Sequence, residues 1–202
     1  MKKNQSIKEK IIEQAKYFLK SKGTFTIKDI ADACFINIAA VNYHFGSKEN
    51  LLNIVLQEII DELKMLLSET IDQLPEHSTN EDALEKIMTL TYTFAIENIG
   101  IINYLFLQNE YQNENAHILI KEFFTDSAFT KDIYHKIAES THTKDPETIR
   151  AKYMLLFSSF AIPLFIQVIA NDQDQDTLTL KKPSFRKKYI KETLKILYIE
   201  ND

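Results

Sequence analysis

Glycine and proline are so sparse in this chain that their scarcity decides its architecture. The first 75 residues contain only Gly23, Gly46 and Pro75, and all 202 residues hold three glycines and four prolines. A fold of many strands needs many tight turns, and such turns draw on those two residues. Long helices with few connections need far fewer of them. Because 45% of the residues are hydrophobic, the chain can bury a real core. The expectation is an all-α fold.

Periodicity places the helices. From Ser6 to Lys22, Ile7, Ile11, Ala15, Phe18 and Leu19 recur at spacings of three and four, with Ser6 as a cap and Gly23 as the stop. Thr26 opens a second helix, and Asp29 stands three residues on, as in a capping box. Asn37 caps a third helix whose inward residues are Val41 and Phe45, and Gly46 breaks it. Ser47 caps a fourth that runs to about Leu74, where Pro75 closes it. Further helices are expected at 79–98, 100–113, 115–140, 146–171 and 184–199, about nine in all. NDQDQDT at 171–177 reads as an exposed acidic connector.

This gives a domain plan. Residues 1–46 form a three-helix module, 47–74 a connecting helix, and 75–202 a larger helical bundle. The uncharged run at 153–170 approaches the roughly 20 residues a membrane span needs. It contains Ser158, Ser159, Pro163 and Gln167, however, and lies within a helical domain. It is read as a helix covered on one side by its own domain and on the other by a partner subunit, not as a membrane span.

Charge is uneven. Residues 1–50 carry nine lysines against five carboxylates, a net of +4, while the remainder nets −9. A basic module for an anionic partner fits this asymmetry, as does a merely solvated lysine face. The second and third helices are joined by a tight turn, DACFIN, with Ala31 and Val41 at the crossing. That arrangement is a helix-turn-helix. Ala39, Asn42 and Tyr43 then point outward with no partner in their own module. Asn suits adenine N6 and N7, and Ala suits a thymine methyl.

At residues 26–52, TIKDIADACFINIAAVNYHFGSKENLL, the chain resembles the DNA-binding domain of the tetracycline-repressor (TetR) family. The family pattern is a T-x-x-[DE]-I-A helix, a turn, a helix ending Y-x-[HY]-F, then x-[ST]-K-E-x-L. Thr26, Asp29, Ile30 and Ala31 match the first part, and Asn42 through Leu51 the last. The match covers about the first 60 residues. Beyond it the likeness is one of length and helical character. The resemblance implies DNA contacts from Thr26, Lys28, Asn37, Ile38, Ala39, Asn42, Tyr43, His44 and Lys48. Where the family usually has a turn glycine, Cys34 is read as the substitute, and a left-handed backbone there would cost about 1–2 kcal/mol. Asn42 replaces the family's usual Tyr, and Ile38 a polar or basic group. The third helix carries no Arg or Lys, which favours an A·T-leaning operator.

The resemblance also implies a homodimer on a palindromic double-stranded DNA operator, and a small-molecule effector that releases it. Two recognition helices would reach successive major grooves about 34–36 Å apart. The aromatic-rich middle helices suggest a mainly apolar effector, with Tyr92, Phe94, Asn103, Tyr104, Gln108, Phe124 and Phe157 as candidate pocket residues. His117 and Gln167 are further polar candidates. Phe160 and Leu164, with the stripe Ile190, Leu194, Leu197 and Tyr198, are the expected dimer surface.

No Gly-rich phosphate loop and no His-x-x-x-His or Cys-x-x-Cys spacing occurs, so no enzyme activity, metal or cofactor is expected. Cys34 is the only cysteine, and there is no apolar signal segment at the N-terminus. Both suit a bacterial cytoplasm. The alternative is a helical interaction protein whose helix-turn-helix no longer binds DNA specifically.

Overall fold

Local chemistry starts each of the first four helices. In the computed structural model, which describes residues 6–105, 114–169 and 180–198, α1 spans Ile7–Lys22. The Ser6 hydroxyl accepts from the Glu9 N–H at 3.2 Å, and the Glu9 carboxylate accepts from the Ser6 N–H at 3.0 Å. Helix α2, Ile27–Cys34, repeats this capping box with Thr26 and Asp29. Helix α3, Ile38–Phe45, starts on Asn37, whose Oδ1 accepts from the Ala40 N–H at 2.7 Å. Helix α4, Lys48–Asp72, starts on Ser47, whose hydroxyl accepts from the Asn50 N–H at 3.1 Å. Each cap satisfies an amide that would otherwise lack a partner.

The remaining helices are α5 (Asn80–Glu97), α6 (Ile99–Asn103), α7 (Glu114–Phe123), α8 (Ala128–Ser140), α9 (Pro146–Ile169) and α10 (Pro183–Tyr198). The described residues thus form ten helices and no strand. Both α9 and α10 begin on proline, where the missing N–H removes no helical bond.

The count exceeds nine because the helix expected at 115–140 is two. Ser127 is extended and caps α8 through the Thr130 N–H at 3.2 Å, and the Thr130 hydroxyl donates back to the Thr125 carbonyl at 2.6 Å. Short polar side chains here bond the backbone locally and stop the helix. The helix expected at 100–113 is described only as α6 and one wider turn at Tyr104 and Leu105. The rest of it, and the acidic connector at 171–177, lie outside the described residues.

The chain divides into two compact units, Met1–Glu62 with Asn98–Ile120, and Leu63–Glu97 with Lys121–Asp202. In the first, Ile11, Ala15 and Leu19 of α1, Ile30 and Ala31 of α2, Val41 and Phe45 of α3, and Leu51 and Val55 of α4 share the buried interior. Lys16 of α1 bonds Glu58 at 2.7 Å and Glu62 at 2.6 Å on α4. Helix α6 packs on α1, and Gly100 permits it: a Cβ there would stand 2.4 Å from the Lys20 carbonyl oxygen.

In the second unit, α5 packs against α8, α9 and α10. Pro163 lies inside α9 and lacks the N–H that would bond the Ser159 carbonyl. Two tyrosines take over: Tyr92 donates to that oxygen at 2.5 Å and Tyr189 at 2.9 Å. Burial, with Tyr189 beside it, holds the Tyr92 phenol well above its ordinary pKa, so it stays a donor. The defect in one helix is thereby repaired from two others.

Candidate nucleic-acid interface

Helix α3 is two-faced because its buried residues are four apart. Val41 and Phe45 are buried, as their spacing predicts. Ile38, Ala39, Asn42, Tyr43 and His44 are exposed, with Tyr43 at 86%. Tyr43 and His44 meet edge to face, centroids 5.4 Å apart. The helix is fixed at both ends. Asn37 caps its start, and Asn50 of α4 donates through Nδ2 to the Phe45 carbonyl at 2.8 Å at its end. Nothing in the sequence marks Asn50 for this role, because a polar residue five positions past a helix end is too general a signal.

The other expected contact residues surround this face unevenly. Thr26 and Lys28 are exposed at the start of α2, but the Thr26 hydroxyl donates to Asp29 at 2.7 Å. That bond, with the Thr26 N–H, keeps the Asp29 carboxyl below its ordinary pKa. Asn37 is exposed and uses only Oδ1 in its cap. Lys48 is half-buried, its ammonium 5.9 Å above the Phe25 ring.

The left-handed residue of the turn is Phe35, with φ 58°, and not Cys34, which is the last residue of α2. The strain of about 1–2 kcal/mol expected at Cys34 therefore falls on Phe35. Phe35 is 95% exposed. The expectation failed by one position because the turn closes only after Cys34, where the Phe35 N–H bonds the Asp32 carbonyl and the Ile36 N–H the Ala31 carbonyl. Burial raises the Cys34 thiol pKa despite Lys10, so it is held as thiol, the unreactive form.

The candidate pocket residues separate. Tyr92, Phe124 and Phe157 belong to one aromatic chain of the second unit: Tyr92 to Phe160 at 4.3 Å, Phe160 to Phe157 at 6.2 Å, Phe157 to Phe124 at 4.5 Å. Tyr92 is fully buried and serves the Ser159 carbonyl. Phe94 is half-buried on α5. Asn103 and Tyr104 lie in the first unit, where Asn103 borders Gly23. Gln108 and the His117 side chain lie outside the described residues. Gln167 is buried on α9, and its Oε1 has no hydrogen-bond partner among the described residues.

The proposed dimer stripe is turned inward. Phe160, Leu164, Ile190, Leu194 and Leu197 are buried in the second unit, where α10 packs on α5 and α9. Tyr198 is half-buried, with its hydroxyl covered. A stripe at helical spacing shows that one face is buried, not what buries it. The largest run of exposed apolar residues here is on α9, Met154, Leu155, Ile162, Phe165 and Ile169, each 41–65% exposed, while α10 exposes Phe185 and Ile196. Among the described residues, α9 is also the one helix long and apolar enough to cross a membrane.

A capped helix pair whose second member is buried on one side and bare on the other defines a helix-turn-helix DNA-binding module. Residues 11–55 match the family model of the bacterial regulatory proteins, tetR family. Over those residues the N-terminal helices are similar to that family, and the chain has the fold of solved TetR-family regulators. A Rhodococcus protein assigned as a TetR-family transcriptional regulator is 15% identical, with a TM-score of 0.67 over 96% of this chain and 100% of that one. A Clostridium perfringens protein assigned as a fatty acid metabolism regulator is 20% identical, with a TM-score of 0.62 over 95% and 99%. The superantigen PfiT is 14% identical, with a TM-score of 0.64 over 96% and 97%. At these identities the likeness is one of fold. No curated protein sequence matches the chain.

Proposed function

We propose that this protein is a cytoplasmic, ligand-responsive transcriptional regulator that binds a palindromic DNA operator as a homodimer and leaves it when a small, mainly apolar molecule occupies the second unit. The observation that carries the reading is α3: buried through Val41 and Phe45, capped at both ends, and bare along Ala39, Asn42 and Tyr43. Asn42 suits an adenine edge and Ala39 a thymine methyl. Lys28, His44 and Lys48 suit phosphates. The dimer would form through the outward apolar residues of α9, because the stripe on α10 is already covered by its own chain. The aromatic chain of the second unit supports an apolar effector class. Linkage then requires that effector and operator weaken each other equally.

The test is retention of DNA from around the protein's own gene, measured from low to moderate salt. A regulator shows a steep salt slope from phosphate contacts together with preference for one sequence. Loss of that preference, with only weak binding to any duplex, supports the second reading, a helical interaction protein with a degenerate helix-turn-helix. The absence of Arg and Lys from α3 favours that second reading.

A further inference from the structure

Phe35 carries two unfavourable features that nothing among the described residues relieves. Its backbone is left-handed, a conformation in which glycine is at ease and a bulky side chain is not. Its ring is 95% exposed, so it adds almost nothing to the core. The turn does not need the ring. It is closed by backbone bonds from the Phe35 and Ile36 amides to the carbonyls of Asp32 and Ala31. A strained residue without internal return points to a use outside the fold.

Its place in the chain suggests which use. Phe35 stands two residues before the Asn37 cap and three before Ile38, the first residue of α3, which is itself 47% exposed. In a helix-turn-helix, the start of the second helix is the part that meets base edges. With no cation on α3, guanine cannot be read from that helix by Arg or Lys. Apolar groups do find a partner in the major groove, the thymine 5-methyl.

We propose that Phe35 is a DNA-contact residue which, with Ile38, packs on thymine methyl groups of the operator half-site and so supplies sequence preference that α3 has no cation to supply. The inference rests on the DNA-binding reading above. It makes the tight turn part of the reader and not only its hinge.

The experiment starts by selecting duplexes from a random pool with the full-length protein. The best duplex is then remade with uracil in place of each thymine. For the native protein, each methyl under Phe35 or Ile38 should be worth about three- to fourfold in affinity when removed, the loss expected for one buried methyl. Phe35→Gly and Phe35→Asn, both tolerant of the left-handed backbone, should melt higher than the native protein. They should bind the thymine duplex about fivefold more weakly and no longer respond to uracil at the thymines under Phe35, while keeping the response at those under Ile38. Unchanged affinity in both variants overturns the proposal. So does a loss that is equal on thymine and uracil duplexes, or a lower melting temperature in both, which would give the ring an internal role. If the native protein selects no duplex at all, the DNA-binding reading itself falls. If it selects a half-site of G·C pairs with no thymine dependence, that reading stands and this one fails.

Discussion

Helices α3 and α9 solve the same packing problem with opposite outer faces. Each buries one side: Val41 and Phe45 on α3, and Tyr153, Leu156, Phe160 and Leu164 on α9. Outside, α3 shows Ala39, Asn42, Tyr43 and His44, whereas α9 shows Met154, Leu155, Ile162, Phe165 and Ile169. The first set can bond a polar, hydrated surface one group at a time. The second gains only by excluding water from a broad apolar contact. The contrast supports the proposal that the two exposed faces take different partners, DNA for one and a second copy for the other.

The largest expected effect comes from exchanging their characters. Ile162→Glu with Phe165→Glu should leave a folded protein that sediments as a monomer and binds operator at least about a hundredfold more weakly, since half the contacts are gone. Tyr43→Glu should leave the sedimentation unchanged while removing operator binding. If the α9 variant stays dimeric, the assignment of its outer face is broken.

A smaller effect tests the inner side of α9. Replacing both Tyr92 and Tyr189 by Phe should lower unfolding free energy by about 1–3 kcal/mol, because the Ser159 carbonyl is then buried without a donor. Adding Pro163→Ala in that background should recover part of the loss, since the new N–H can bond the same carbonyl. Denaturant titration of the four proteins of this cycle measures it. On α3, Asn37→Ala should cost about 1 kcal/mol through loss of the cap, read the same way.

The smallest effect is a pH dependence of the ion pair that ties α1 to α4. Burial opposes ionisation of Glu62, but its bond to Lys16 outweighs this and the carboxyl sits below its ordinary 4.5. A depressed carboxyl contributes stability that is present above the unfolded value and is lost as pH falls through the folded one. Melting of the native protein should therefore drop more steeply below pH 4.5 than melting of Glu62→Gln. Identical profiles would remove this pair from the account.

What could be read from the sequence was what local chemistry decides. Ser6, Thr26, Asn37 and Ser47 act on amides three residues away, so their caps were legible. Val41 and Phe45 were legible because helical spacing fixes their shared face. The break at Thr125 to Ser127 was not, since these residues tolerate a helix and stop it only when a local bond forms. The destination of the α10 stripe was not legible either, because periodicity names a buried face without naming its cover. Phe35 escaped because one residue of register in a turn moves the left-handed position and leaves the composition unchanged.

The central claim is that the bare face of α3 reads DNA. Its most direct test is binding of native protein and of Asn42→Ala to the selected operator and to a scrambled duplex, with melting measured in parallel. The account predicts equal melting, a roughly ten- to hundredfold loss on the operator, and little change on the scrambled duplex. Equal affinity of both proteins for the operator would contradict it.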